Sequence, residues 1–308
     1  MIRGIIILFV ALTASALAQF PERPINYIVS FDPGGESDIT ARLQQEHLEE
    51  ILGVRVTITN QAGGGGAVAW SNFQRNPDTE GYSVIGINLP HIVTQPMERA
   101  NAGFDTYGFE ILTIFQFTPS VVLVREDSPF ETLDDLLAFA RENPGAVTMG
   151  GSGTATVNHI DTMLLADQAD VQITYVPFTG TGSAVPALLG GHVGALMNYS
   201  TVAAQYADQV RPLAIAGSER ASFMQDTPTF EELGFENLSG AYRGVAVAQG
   251  TPEDVVQTLR DAFVEAGSRI ADEQEELGFV VTNITGEEAT QLLQETEETY
   301  SRILEDLR

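Results

Sequence analysis

The chain has 308 residues, with 42 acidic against 15 basic side chains, a formal charge of −27 at neutral pH, four histidines and no cysteine. That balance disfavours nucleic acid and anionic membrane surfaces as partners. Without thiols there is no disulfide framework, and four scattered histidines supply no metal-ligand spacing, so neither a metal nor a cofactor is expected.

The first eighteen residues read as a secretory signal peptide. Arg3 precedes an apolar run from Ile5 to Leu12, and Ala16-Leu17-Ala18 offers a cleavage site before Gln19. The run is too short to span a bilayer, and no cysteine is present to carry a lipid. A soluble protein exported to the periplasm is the expectation. The remaining chain, about 290 residues, suffices for one large or two ordinary α/β domains.

Ile25, Tyr27, Ile28, Val29 and Phe31 form an apolar run that reads as a buried strand. It breaks at Asp32-Pro33-Gly34-Gly35, and a helical pattern restarts behind Ser37 and Asp38, both good helix caps, to stop at Gly53. Val54 to Thr59 alternates as a strand, Asn60 to Gly66 is a glycine-rich turn, Ala67 to Arg75 a short helix, and Ser83 to Asn88 the next strand. This alternation predicts a parallel sheet with helices on both faces.

Two further apolar runs, Ile111 to Phe117 and Val121 to Val124, flank Thr118-Pro119-Ser120. Thr132 with Asp135 predicts a capping-box start for a helix reaching Arg141, and Val147 to Gly150 is a strand. A second glycine corner follows, Gly150-Gly151-Ser152-Gly153-Thr154-Ala155-Thr156, with Asn158 and His159 opening a helix. Strand Ile173 to Val176 leads to a third, Pro177-Phe178-Thr179-Gly180-Thr181-Gly182-Ser183. Strands at Val193 to Met197, Arg211 to Ala216, Tyr242 to Ala248 and Val280 to Ile284 complete the pattern. Pro252 opens a late helix, and Thr285 with Glu288 predicts a second capping box. No repeat or linker is visible, as two domains sharing strands would explain.

A strand, a glycine turn and a helix start together present unpaired N–H groups at the positive end of a helix dipole, which suits a carboxylate or a phosphate. Glycines after a strand also serve merely to permit a tight turn. Three such corners, each rich in hydroxyls and each followed by a helix, favour a receptor for a small organic anion. In open α/β sheets such loops gather beyond the carboxyl ends of the strands. Nucleotide motifs fail: Gly64, Gly66 and Ala69 fit the glycine fingerprint, but the acidic partner about twenty residues on is missing, and no Gly-Lys-Ser/Thr follows any glycine run. The run Gly150 to Thr154 lacks the second glycine of a hydrolase elbow. His159 is a cap or core residue in preference to a ligand contact.

The chain resembles the periplasmic solute-binding proteins of tripartite tricarboxylate transporters, the Bordetella uptake gene family. The matches are Pro21 to Ile25, Phe31 to Gly35 with Asp38, Asn60 to Gly65, Asp78 to Tyr82, Gly150 to His159, Val176 to Gly180, Leu189 to Val193, Asp226 to Thr229 and Gly250-Thr251-Pro252. The resemblance implies an α/β, two-lobed type II periplasmic-binding-protein fold with a ligand cleft between the lobes. Lobe 1 is expected at 19–120 with 240–308 and lobe 2 at 121–239. It also implies a non-catalytic receptor that passes a small carboxylate, a di- or tricarboxylate or related acid, to membrane permease subunits, acting as a monomer.

The expected ligand-binding residues are Pro33, Gly34, Gly35, Ser37 and Asp38 of the first corner, and Gly151, Ser152, Gly153, Thr154 and Asn158 of the second. Thr179 of the third corner joins them, with Asn198, Tyr199 and Arg243. Asn198 stands where many members have Asp, which favours a simple carboxylate over an amino acid unless it only caps a turn. Tyr242-Arg243-Gly244 stands where many have Trp. Arg243, a charge at the head of an apolar strand, is expected to grip a ligand carboxylate or else to pair with one of the acids. An exported hydrolase using Ser152 and a chemosensory receptor of the same fold are the alternatives.

Overall fold

The computed structural model describes residues 20–99 and 101–308, so the expected signal peptide lies outside the described residues. In chain order the elements are β1 (Ile25–Val29), α1 (Glu36–Leu52), β2 (Val56–Asn60), α2 (Ala67–Arg75), β3 (Ser83–Leu89), α3 (His91–Glu98) and β4 (Phe109–Arg125). Then come α4 (Leu133–Glu142), β5 (Val147–Gly151), α5 (Val157–Gln168), β6 (Ile173–Pro177), α6 (Thr181–Leu189), β7 (Ala195–Tyr199), α7 (Ser200–Gln205) and β8 (Val210–Ile215). The chain ends with β9 (Gly240–Ala248), α8 (Glu253–Arg269), α9 (Ala271–Glu276), β10 (Val280–Ile284) and α10 (Gly286–Asp306).

The strand order is β2-β1-β3-β9-β4-β7-β5-β6, with β8 and β10 also pairing β4. β1 pairs in parallel with β2 and β3, and β5 with β6 and β7. The purely parallel sheet expected from the alternation is therefore corrected: β9 runs antiparallel to β3 and β4, and β4 antiparallel to β7 and β8. β4 is one strand of 17 residues where two runs are expected, and it belongs to both halves of the sheet. Its first part pairs β9 as far as Pro119 with Gly240, and from Ser120 onward it pairs β7. Pro119 sits where the strand changes partners, a place where a missing N–H costs little. Beside it, Ser120 donates its N–H to the Ser239 carbonyl at 2.8 Å, so the two passages between the halves lie side by side.

Each half carries helices on both faces. In the first, Tyr27, Leu48 and Phe263 pack on one side and Trp70, Phe73 and Ile92 on the other. In the second, Leu136, Met149 and Leu165 oppose Val121, Leu188 and Leu196. Truncating such a buried leucine to alanine costs about 2–5 kcal/mol. The final helix α10 sets Tyr300, Ile303 and Leu304 against Ile160 and Leu164 of α5, tying the C-terminus to the second half.

Two capping expectations are corrected. α1 begins at Glu36 behind Gly35, so Ser37 and Asp38 lie inside its first turn rather than capping it. The Thr132–Asp135 box forms as expected, whereas Thr285 makes no side-chain cap bond.

Candidate ligand site between the two halves

The loop after β1, the ends of β3 and β7, the head of β9 and the starts of α1, α3 and α6 converge on a cavity between the halves. Phe31, Gly35, Glu36, Ser37, Asn88, His91 and Arg243 wall it from one side, and Ser152, Thr181 and Tyr199 from the other. Its volume is about 10 Å³, room for roughly one water, so the two halves stand closed upon it. A larger hollow of about 720 Å³ lies outside, with Glu110, Glu253 and Glu287 against Arg260 on its rim, a balance less suited to an anion.

Closure is made by backbone approach and a few hydrogen bonds. A Cβ on Gly182 would sit 2.4 Å from the Pro33 carbonyl oxygen, and one on Gly153 2.7 Å from the Gly65 Cα. Asp32 accepts from the hydroxyls of Thr179 and Ser183, both at 2.7 Å. Gln95 donates to the Thr154 carbonyl at 2.9 Å and Thr94 to that of Ala155 at 2.8 Å.

The first corner gives its donors unequal work. Gly34 donates its N–H to Asp38 at 2.9 Å, and the same carboxylate accepts from Arg42 and from Asn60. Burial would raise the Asp38 carboxyl, but the bonds from Arg42, Gly34 and Asn60 outweigh it and hold it below the ordinary range. The next N–H groups, those of Glu36 and Ser37, belong to the open first turn of α1 and donate to no backbone carbonyl among the described residues. They border the cavity at the positive end of a helix dipole.

The second corner is uncharged. Asn158 Oδ1 accepts from the Ser152 N–H at 3.1 Å and also from the Ser152 hydroxyl. Tyr175 donates to the Gly153 carbonyl at 2.8 Å, and Ala155 donates its N–H to His159 Nδ1 at 3.3 Å, so His159 serves the loop.

Arg243 is 2% exposed and is held at the centre of the sheet, in register with Asn88 of β3 and Gln116 of β4. The close β4–β9 approach needs glycine on either side: a Cβ on Gly240 would meet the Thr118 carbonyl at 2.3 Å and one on Gly244 that of Thr113 at 2.4 Å. The guanidinium donates to the Thr118 hydroxyl, lies 4.6 Å over the Tyr199 ring, and stands 3.6 Å from Glu36. Its Nε has no partner among the described residues. Glu36 in turn accepts from Thr201 at 2.9 Å, across the cleft. His91 is fully buried, neither ring nitrogen bonded among the described residues, and burial followed by the Arg243 charge pushes its pKa down to about 3. Burial pushes the Tyr199 phenol up to about 12.

Of the residues expected from sequence, Gly35, Ser37, Ser152, Tyr199 and Arg243 come together on the cavity wall. Pro33 and Gly34 face a neighbouring hollow with Gly182 and Tyr206. Asp38, Asn158 and Thr179 bond to protein groups behind or beside the cavity, and Thr154 contributes its carbonyl to the closure. Gly153 lies at the backbone approach to Gly65, and Gly151 packs against Tyr175 and Asn158. Asn198 accepts from the Thr181 hydroxyl at 3.0 Å and the Tyr199 N–H at 3.1 Å. Phe31, Glu36, Asn88, His91 and Thr181 are wall residues that the sequence reading passes over. An acid directly behind a glycine corner read as an anion site is the signal that points to Glu36.

Two α/β halves sharing a long strand, closed on a polar cavity at their junction, define the two-lobed periplasmic-binding-protein class of solute receptors. Residues 40–308 match the model of the "Tripartite tricarboxylate transporter family receptor", and the chain belongs to that family. It is similar to the "UPF0065 protein in tcbD-tcbE intergenic region" of Pseudomonas sp. (strain P51), 29% identical over 304 residues, covering 96% of this chain and 89% of the other. Among solved structures it resembles MatC from Rhodopseudomonas palustris with bound malate at 26% identity and a TM-score of 0.85, covering 94% and 100% of the two chains. The periplasmic binding protein BugD shares its fold, with a TM-score of 0.88 at 24% identity over 94% and 98%.

Proposed function

We propose that this protein is an exported, non-catalytic receptor that captures a small organic carboxylate in the periplasm and hands it to the permease subunits of a tripartite tricarboxylate-type transporter. Its lobes are residues 19–120 with 240–308, and 121–239. The observation that carries the reading is the cavity walled by both halves, with Arg243 and the first turn of α1 turned toward it. Malate in the MatC structure supports a carboxylate as ligand. One ligand carboxylate meets the N–H groups of Glu36 and Ser37, with Ser152 and Tyr199 closing over it from the other lobe. Asp38, Asn158, Thr179 and Asn198 position the loops. The hydrolase alternative is weakened because the Ser152 hydroxyl donates to an amide oxygen, which does not accept a proton as a general base does.

Thermal unfolding against a panel of organic acids tests this reading. A ligand at roughly 100 times its Kd stabilises by about 2.7 kcal/mol, and it should be recovered unchanged. No shift with any acid, or a chemically altered acid, contradicts it. Deleting the gene should abolish uptake; loss of a chemotactic response with uptake intact would instead favour the sensory role.

A further inference from the structure

Among the described residues, Arg243 is the one buried arginine, and the acid facing it, Glu36, is 5% exposed. They stand 3.6 Å apart, near enough for electrostatic contact but longer than a good hydrogen bond. Both keep unused bonding capacity: Arg243 Nε is unpartnered, and Glu36 Oε2 faces only Arg243 at 3.6 Å, while Oε1 takes the Thr201 hydroxyl. His91, beside them, is neutral, and so is Tyr199. The charged side chains on the cavity wall therefore sum to zero before a ligand enters.

One carboxylate fits that field, because the α1 N-terminus supplies donors and about half a positive charge. A second carboxylate does not, because the remaining guanidinium is already matched by Glu36. Burying an unpaired charge is heavily disfavoured. A ligand with one carboxylate and one cationic group resolves both ends: the carboxylate takes Arg243 and the helix N–H groups, and the cation takes the idle oxygen of Glu36. Asn198, expected from sequence to favour a simple carboxylate over an amino acid, is bonded to Thr181 and Tyr199 instead of lining the cavity; the acid on the wall is Glu36, and it reverses that expectation.

We propose that Glu36 makes this site selective for a small zwitterion, a short amino acid or onium carboxylate, and excludes dicarboxylates of the same length. The proposal rests on the receptor reading and narrows it. Titration calorimetry of the mature chain against matched pairs tests it: glycine with malonate, β-alanine with succinate, and 4-aminobutanoate with glutarate, with butanoate as the plain monocarboxylate. The best zwitterion should bind at least tenfold tighter than its dicarboxylate partner and than butanoate. Glu36→Gln, which keeps the side-chain shape, should shift that preference at least tenfold toward the dicarboxylate. A wild-type dicarboxylate or butanoate binding as tightly as its zwitterion overturns the proposal while leaving the receptor reading intact. No binding by any carboxylate overturns both. The wild-type comparison alone decides the matter if Glu36→Gln fails to fold.

Discussion

The loop and first turn between β1 and α1 carry three carboxylates, Asp32, Glu36 and Asp38, within seven residues; the loop between β5 and α5, facing it across the cavity, carries none. Both use a glycine turn at a helix start, yet they are held by different chemistry. On the acidic side each carboxylate has an assigned acceptor role. Asp38 fixes Gly34 and Arg42, Asp32 takes two hydroxyls from the opposite half, and Glu36 bridges Thr201 and Arg243. On the neutral side the amide of Asn158 does the equivalent work for Ser152. In a protein of net charge −27, each acid of this corner is thus tied to a donor, and two of those three ties cross the cleft. The carboxylate-mediated bonds across the cleft come from the acidic side.

The comparison is most easily broken at Arg243. Arg243→Ala should lower the unfolding free energy by about 3–5 kcal/mol in chemical denaturation, because it strands the buried Glu36 carboxylate. On the neutral side Asn158→Ala should cost less, about 1–3 kcal/mol, for uncharged groups left unbonded. The reverse order would sink the contrast. Asp38→Asn should remove about 1.5–3 kcal/mol, as a carboxylate loses charge-assisted bonds. Its depressed pKa means that this contribution is present above the ordinary carboxylate range and is lost as pH falls through the folded value, so wild type and variant should converge in acid.

Among the described residues of the neutral side one carboxyl is buried, Asp161, further along α5, and burial pushes its pKa up to about 7. The folded chain then holds a proton that the unfolded chain has released between the ordinary carboxylate value and about 7. Asp161 should therefore subtract up to roughly 1.4 kcal/mol per pH unit as pH rises through that window, with no further loss above it. Asp161→Asn should flatten that slope; an unchanged slope in a pH series of melts would show that Asp161 does not titrate there. The smallest effect concerns closure alone. Gly182→Ala adds a helix-favouring residue to α6 but sets a methyl against Pro33, so the unliganded chain should melt no lower while affinity falls about fivefold, or ~1 kcal/mol. Unchanged affinity would mean that the backbone approach is not needed for binding.

The corners were legible because glycine placement and apolar runs are local signals. Arg243 stood out because a charge heading an apolar strand is a local contradiction. Glu36 carries one local signal, an acid directly behind a glycine corner, but its pairing with Arg243, like the place of His91, depends on β9 and α3 being carried beside α1 from far along the chain. The two apolar runs around Pro119 read as separate strands because proline is a strong local stop. The change of partner from β9 to β7 that accommodates it is visible only in three dimensions. The antiparallel direction of β9 was hidden for the same reason, since strand direction leaves no mark in composition.

The proposed function places a ligand carboxylate where the first turn of α1 meets Arg243 between the two halves. A crystal structure of the mature chain with the tightest ligand from the acid panel tests it directly. A ligand carboxylate is expected within about 3 Å of the Glu36 and Ser37 N–H groups, with the Arg243 guanidinium in contact and Ser152 and Tyr199 closing from the other half. A ligand seated in the outer hollow beside Tyr107 and Arg260, or on one half alone with Arg243 still joined only to Glu36 and Thr118, would contradict it.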